Sequence, residues 1–234
     1  MIDRADYTRI AHAGMPIMNP ISPAKLDEVI ALLELPARGR VVDLGCGKGD
    51  LLRRIAGRYD VDAVGIDRDA KLLAEAPPGI NAIVADIETW NRGRAAFDLV
   101  ASVGSPARLS SLAELVRPGG LVLYGEGYWR REPSPEYLEA LGAEPGELAD
   151  YAGTIRRGEE LGLTPVYAVT ASVEDFDRYE WSWSRNGERY AAEHPDDDGV
   201  REFLEWIRAG RHRYVELGGR DTLGFGLFLF RAAG

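Results

Sequence analysis

The chain has 234 residues, enough for one well-buried core and short of two ordinary domains. Its formal net charge is -10, which argues against a nucleic-acid partner, usually met by a basic face, and against an anionic membrane surface. One cysteine, Cys46, leaves no internal disulfide, no apolar run approaches the ~20 residues of a spanning helix, and the charged N-terminus lacks a signal-peptide core, so a cytoplasmic location is expected.

Residues 1–21 contain Pro16 and Pro20 and read as a short helix and a loop. Ser22-Pro23 then offers an N-cap followed by proline at the first helical position. Leu26, Val29, Ile30 and Leu33 recur at helical spacing, which predicts an amphipathic helix over 23–34 that Pro36 stops. From there strands and helices alternate. Val41–Leu44, Ala63–Ile66, Ile80–Ala85, Phe97–Val103 and Leu121–Gly125 read as strands. Helices are expected over Asp50–Gly57, Ala70–Ala76 and Pro106–Val116, with a turn at Pro118-Gly119-Gly120. This alternation argues for a parallel, doubly wound sheet.

The second half is less regular. Ser134–Leu141 and Asp150–Leu161 look helical, Thr164–Thr170 is a sixth strand, and Thr222–Arg231 is a seventh. Val173–His194 and Val200–Leu217 look like helices split by the acidic turn Pro195–Gly199. The segment 171–221 is long for one crossover and predicts a cap insertion. No repeat or linker divides the chain, so 1–234 reads as a single domain.

The strongest chemical signal is Val41-Val42-Asp43-Leu44-Gly45-Cys46-Gly47-Lys48-Gly49, between a strand and a helix. Glycines let the backbone turn sharply and approach a ligand, and the following helix points free N–H groups at whatever binds there. A bare GxGxG serves many nucleotide folds. Asp43 narrows the choice, because a carboxylate there suits a ligand with a cationic amino group. Cys46 reads as a small packing residue in the loop. Asp67, about twenty residues beyond Gly45 and at a strand end, is placed to accept from both hydroxyls of a ribose. Helix capping is the other reading, and Asp69 is better placed for it. Arg68 could lie against the ligand or simply face solvent. Asp86 ends the third strand, where it could accept from an adenine amino group while the Ile87 N–H reaches a ring nitrogen. A cap role for Asp86 is a serious rival.

Order and spacing of these segments over about residues 22–126 resemble the class I S-adenosylmethionine (SAM)-dependent methyltransferase family. The resemblance implies a Rossmann-like α/β sheet of seven mostly parallel strands, the last antiparallel, with helical cap elements. It implies SAM as cofactor, held by Asp43, Gly45, Gly47 and Gly49 at the methionine part, by Asp67 at the ribose, by Asp86 with Ile87 at the adenine, and by Ser102 near the methionine amine; Cys46 and Arg68, beside these residues, are further candidate cofactor contacts. Asn19-Pro20-Ile21-Ser22 and Gly125-Glu126-Gly127-Tyr128-Trp129 resemble a bacterial subgroup of small-molecule-type enzymes related to the cyclopropane-fatty-acid-synthase-like methyltransferases.

A general base is optional in methyl transfer and depends on the nucleophile. The candidates are Glu126 after the fifth strand, His12 in the N-terminal segment, and Tyr128, which could orient a substrate. Each also has a plain structural reading. Ligands bind beyond the carboxyl ends of the strands in an open parallel sheet. Residues 1–21 are therefore expected as a lid and, with the segment after strand five and part of 171–221, as the acceptor pocket. Tyr7, Trp129, Arg130 and Trp181 are the expected substrate contacts. Three scattered histidines and no Cys/His cluster predict no metal site. The expected partner is a small-molecule substrate. Where base-methylating relatives carry an Asp/Asn-Pro-Pro-aromatic run, this chain has Ser102-Val103-Gly104-Ser105-Pro106, which counts against nucleic acid. A protein methyltransferase and a non-catalytic SAM-binding protein are the rival functions. A homodimer, through a sheet edge or the cap, is compatible with the pattern.

Overall fold

A 3-10 turn (Arg4–Asp6) and α1 (Tyr7–Ala11) lead to α2 (Pro23–Ala31) and then to alternating elements: β1 (Gly39–Leu44), α3 (Asp50–Ala56), β2 (Val61–Asp67), α4 (Ala70–Leu73), β3 (Asn81–Val84), β4 (Phe97–Val103), α5 (Leu109–Leu115) and β5 (Val116–Trp129). The second half adds α6 (Pro135–Leu141), α7 (Tyr151–Glu160), β6 (Leu163–Thr170), α8 (Val173–Glu193), α9 (Val200–Val215), α10 (Gly219–Thr222) and β7 (Leu223–Ala232). These assignments come from a computed structural model that describes residues 2–90, 93 and 95–234. Met1, the first residue of the expected lid, lies outside the described residues.

The strands form one seven-stranded sheet in the order β3-β2-β1-β4-β5-β7-β6. β7 runs antiparallel to both β5 and β6, and the other described pairings are parallel. The Rossmann-like α/β expectation, including the antiparallel last strand, holds. β1 lies at the topological switch, paired with β2 on one side and β4 on the other. A crevice opens at such a switch, beyond the carboxyl ends of the strands.

Strand alternation divides the core. Val41, Leu99, Ala101, Leu121, Leu123, Leu227 and Leu229 share one face with Leu26, Val29 and Ile30 of α2, Leu52 and Ile55 of α3, and Phe176 of α8. Val42, Leu44, Val100, Val122, Phe228 and Phe230 turn to the opposite face, against Leu109 and Leu112 of α5 and Ile155 of α7. A third cluster joins Tyr7, Ile10 and Ala11 of α1 to Phe203 and Ile207 of α9. α8 and α9 run in opposite directions, since Trp183 stacks on Trp206 and Tyr190 meets Phe203. Both lie within the segment 171–221. Asn186 of α8 donates to the carbonyls of Ala11 (2.8 Å) and Ala13 (3.0 Å), pinning the end of α1 to the cap.

Local expectations need four corrections. Pro118-Gly119-Gly120 is not a turn before β5 but part of it, an irregular stretch with Gly119 at φ +70 and a register shift opposite Phe97 and Leu99. The fifth helix starts at Leu109 rather than Pro106, because Ser105 Oγ accepts from Ala107 N (3.3 Å) and holds the preceding turn open. α4 ends at Leu73, short of the expected Ala76, and 3-10-type bonds carry the chain on to Pro77. Ser22 starts α2 through its carbonyl, yet its side chain caps nothing.

Candidate active site at the β1–α3 loop

The loop after β1 is set by three glycines with positive φ: Gly45 (+78), Gly47 (+53) and Gly49 (+73), a region in which side chains with a Cβ are strained. Gly45 also has no room for a side chain, since a Cβ there would lie 2.3 Å from Ser105 Cβ. Gly45 N and Cys46 N both donate to Ile66 O at the end of β2 (2.8 and 3.0 Å). Asp67 then ties the loop to β2 through its side chain. Its Oδ2 accepts from Gly47 N at 2.8 Å and its Oδ1 from Asp69 N at 2.9 Å. Asp69 caps α4, accepting from Lys71 N and Leu72 N, which leaves Asp67 free of that role. On the β4 side, Ser105 donates to Leu44 O (2.9 Å) and shares a 2.6 Å bond with Ser102.

Beyond this loop lies a cavity of about 1210 Å³. Asp43, Gly45, Cys46, Gly47, Asp67, Arg68, Asp86 and Ile87 line it together. Asp43 is buried, and its Oδ1 has no hydrogen-bond partner. Burial first, and then the charge of Asp67, push its carboxyl up to about 7. A buried polar atom left unpaired is costly, so this oxygen is an observation in need of a ligand. Asp86 lines the cavity, and its Oδ1 accepts from Glu88 N at 2.8 Å in the turn after β3, where no helix starts for it to cap. Burial and the neighbouring Asp43 and Asp67 push the Cys46 thiol up, which keeps it an unreactive packing group.

Two of the expected cofactor residues lie behind the cavity wall. Gly49 is the left-handed N-cap of α3. Ser102 is fully buried and reaches the cavity only through Ser105, which lines it.

Of the candidate bases, His12 alone lines the cavity. It is buried; its Nδ1 is 2.7 Å from Thr8 O and its Nε2 3.0 Å from the Tyr179 hydroxyl. A carbonyl only accepts, so Nδ1 carries the ring proton. Burial, with Lys48 nearby, brings its pKa down to about 4 against the raising effect of the Thr8 bond. The ring is therefore neutral near pH 7, and Nε2 accepts from Tyr179.

Glu126 and Tyr128 do not reach the cavity, and strand alternation is the reason. Tyr124, Glu126 and Tyr128 share the sheet face opposite Leu121 and Leu123. Glu126 accepts from the Tyr124 hydroxyl and from Gly127 N, both at 2.8 Å. Tyr128 packs edge-on against Tyr151 and Phe228. The four expected substrate contacts also lie elsewhere. Tyr7 is buried between Phe203 and Trp206, Trp129 meets Tyr137 edge-on, and Arg130 donates to Ala171 O over the Phe176 ring. Trp181 is 51% exposed.

The segment after β5 is thus no part of the cavity, whereas Thr8, His12, Met18 and Asn19 of the N-terminal segment line it, as do Tyr179 and Trp183 of α8. Tyr179 and Trp183 stand four residues apart, on one helix face. Trp181, between them, points away; helical period was the signal that separates the three. Lys48, inside the glycine motif, also lines the cavity and pairs with Glu75 at 2.8 Å. Among the described residues no His/Cys/Asp/Glu group could hold a metal ion, and no helix is long and apolar enough to cross a membrane.

Residues 41–120 match a family model described as a methyltransferase domain. The Escherichia coli (strain K12) protein YjhP is 29% identical, over 94% of this chain and 95% of its own length. A trans-aconitate 2-methyltransferase of Methylobacterium nodulans is 28% identical over 78% of this chain and 76% of its own. The 27-O-demethylrifamycin SV methyltransferase of Amycolatopsis mediterranei is 29% identical over 79% and 72%. Among solved structures, a SAM-dependent methyltransferase of Thiobacillus denitrificans in complex with S-adenosylhomocysteine superposes with a TM-score of 0.85, at 26% identity over 99% of each chain. One from Geobacter sulfurreducens, with the same compound, gives 0.86 at 27% identity over 98% of this chain and 99% of that one.

Proposed function

We propose that this chain, a class I SAM-dependent methyltransferase, transfers the donor's methyl group to a small-molecule acceptor inside the cavity above the β1–α3 loop. The observation that carries this reading is Asp43 Oδ1, a buried carboxylate oxygen without a partner in the wall of a ligand-sized cavity. A cationic α-amino group is the complement it lacks. The relatives named for trans-aconitate and rifamycin substrates favour a small acceptor, and the net charge of -10 disfavours nucleic acid.

SAM brings an activated methyl group on a sulfonium, so the protein's task is placement. Holding nucleophile and methyl carbon in line contributes up to about 7–11 kcal/mol of the barrier. In this reading Asp43 takes the amino group and the backbone of Gly45 and Gly47 borders the methionine part. Asp67 already accepts two backbone bonds, and its remaining lone pairs take the ribose hydroxyls while Arg68 lies alongside. Asp86, with one oxygen spent on Glu88 N, offers the other to the adenine amino group, and Ile87 offers its N–H. Cys46, Gly49 and Ser102 support the loop from behind. Residues 1–234 then form a single domain in which 2–21 close the cavity as a lid and α8–α9 cap it. The lid is latched by Asp6, which pairs with Lys71 of α4 at 2.7 Å; both residues line the cavity.

The test is transfer from radiolabelled SAM to a metabolite mixture and, separately, to a protein extract. Label in the small-molecule fraction is the expected result. Label confined to protein, or none at all, would overturn the acceptor assignment.

A further inference from the structure

His12, Tyr179 and Trp183 meet ring to ring in one uncharged part of the cavity wall, and the apolar Ile17, Met18 and Pro106 line the same cavity. We propose that His12, Tyr179 and Trp183 form the acceptor subsite, and that the acceptor is a phenol-type hydroxyl on an uncharged molecule. The proposal rests on the donor reading above and adds the acceptor's chemistry.

Tyr179 has spent its one proton on His12 Nε2 at 3.0 Å, so its oxygen has only lone pairs to offer. The Trp183 indole N–H is a donor with no acceptor in hydrogen-bonding geometry. It lies near enough to the Tyr179 hydroxyl to favour a negative charge there. A ligand group matched to both must bring a proton to Tyr179 and hold a lone pair for Trp183. A carboxylate has no proton to bring. An amine has one lone pair, which the methylation itself consumes. A hydroxyl oxygen has two, one for the indole N–H and one for attack.

Charge points the same way. Seven carboxylates among the described residues line the cavity, against three cationic side chains. Two of these three, Lys48 and Lys71, already pair with Glu75 and Asp6. A polycarboxylate would enter against that field. The apolar Ile17, Met18 and Pro106 suit a flat ring.

The step balances. The acceptor oxygen forms a bond to the methyl carbon as the carbon–sulfur bond breaks and its electron pair stays on sulfur. The acceptor's proton passes to the Tyr179 oxygen, and the Tyr179 proton passes to His12 Nε2. The positive charge lost at sulfur reappears on the imidazole, whose Nδ1–H is held by Thr8 O. Burial holds the Tyr179 hydroxyl well above its ordinary pKa, so once its own proton has passed to His12 its oxygen draws the proton of a phenol, whereas an aliphatic alcohol holds its proton more tightly. Tyr179 is then a catalytic residue, and His12 acts through it as a positioning residue and proton store. The groups facing His12 are Tyr179, Trp183, the Thr8 carbonyl and, through space, Lys48.

The experiment uses the whole chain saturated with S-adenosylhomocysteine and titrates 2-naphthol, trans-aconitate and ethanolamine by calorimetry. Methylation of the same three compounds is followed with radiolabelled SAM. The expected result is binding and O-methylation of 2-naphthol alone. Tyr179→Phe should weaken 2-naphthol binding at least tenfold and lower kcat at least 100-fold, while S-adenosylhomocysteine affinity stays within twofold. His12→Gln should lower kcat and erase the acid limb of the pH profile, a change of shape that a merely structural role would not produce. Trp181→Phe, on the exposed side of α8, should match the wild type. No 2-naphthol binding, preferential methylation of trans-aconitate or ethanolamine, or an active Tyr179→Phe overturns the proposal. Loss of S-adenosylhomocysteine binding by the wild type would instead strike the donor reading beneath it.

Discussion

Replacing Asp43 with asparagine should stabilise the ligand-free protein, and increasingly so as pH rises. The Asp43 carboxyl, ordinarily near 3.8, is pushed up to about 7 by burial and by Asp67. Its charge therefore costs the folded state about 4 kcal/mol, at about 1.4 kcal/mol for each tenfold change in proton affinity. The sign follows from the raised value. Below pH 3.8 the carboxyl is protonated in both folded and unfolded chains, and nothing is lost. Stability declines as pH climbs from there to about 7, and the loss is constant above. Asparagine keeps the shape, has no proton to lose, and needs buried partners much as the protonated acid does. Urea unfolding of Asp43→Asn and wild type, followed by tryptophan fluorescence, should show the variant's advantage growing by about 3 kcal/mol between pH 5 and pH 8. The same variant should bind S-adenosylhomocysteine at least tenfold more weakly, a trade of function for stability. A pH-independent difference, or an Asp43→Asn less stable than wild type at pH 8, would refute the reasoning.

Asp67→Ala removes the acceptor of Gly47 N and Asp69 N. It should lower stability by about 2 kcal/mol and S-adenosylhomocysteine affinity at least tenfold, read by urea unfolding and calorimetry. Gly45→Ala drives a Cβ to 2.3 Å from Ser105 Cβ at φ +78 and should cost about 3 kcal/mol in the same unfolding assay. Gly47→Val meets only Met18 Sδ, at 3.5 Å from its Cβ. It should therefore lose little more than about 1–2 kcal/mol of stability to backbone strain, yet lose ligand binding because the side chain enters the cavity; normal binding would show that the loop does not cradle the ligand. Lys71→Ala breaks a pair whose lysine is 62% exposed, so unfolding should change by under about 1 kcal/mol. If residues 2–21 close the cavity, stopped-flow release of S-adenosylhomocysteine should nonetheless quicken severalfold.

That the residues expected around the donor line one cavity was legible because their geometry is local. Asp43 near the end of β1 and Gly45 and Gly47 in the loop after it lie within five residues, and Asp67, Arg68, Asp86 and Ile87 each stand at or just past the carboxyl end of a strand, so the order of the strands alone brings them together. The proposed acceptor half depends on periodicity and on distant packing. A period of two carries Glu126 and Tyr128 onto the α5–α7 face, and a period of 3.6 sends Trp181 outward while Tyr179 and Trp183 turn in. Tyr7 was expected at the substrate because it lies in the N-terminal segment. It instead forms the apolar contact that seats that segment on α9, and His12, one turn beyond, receives the position over the cavity. Ser102 and Ser105 show how small the margin is: three residues separate a fully buried hydroxyl from one in the cavity wall.

Calorimetric titration of the wild-type chain with S-adenosylhomocysteine, run near pH 6.5 in two buffers of different ionisation heat, tests the central claim most directly. The account predicts micromolar-range binding accompanied by proton release, because the ligand's ammonium group ionises an Asp43 that is largely protonated in the free protein. It predicts no comparable heat with NAD. Absence of heat with S-adenosylhomocysteine, or binding of NAD in its place, would contradict it.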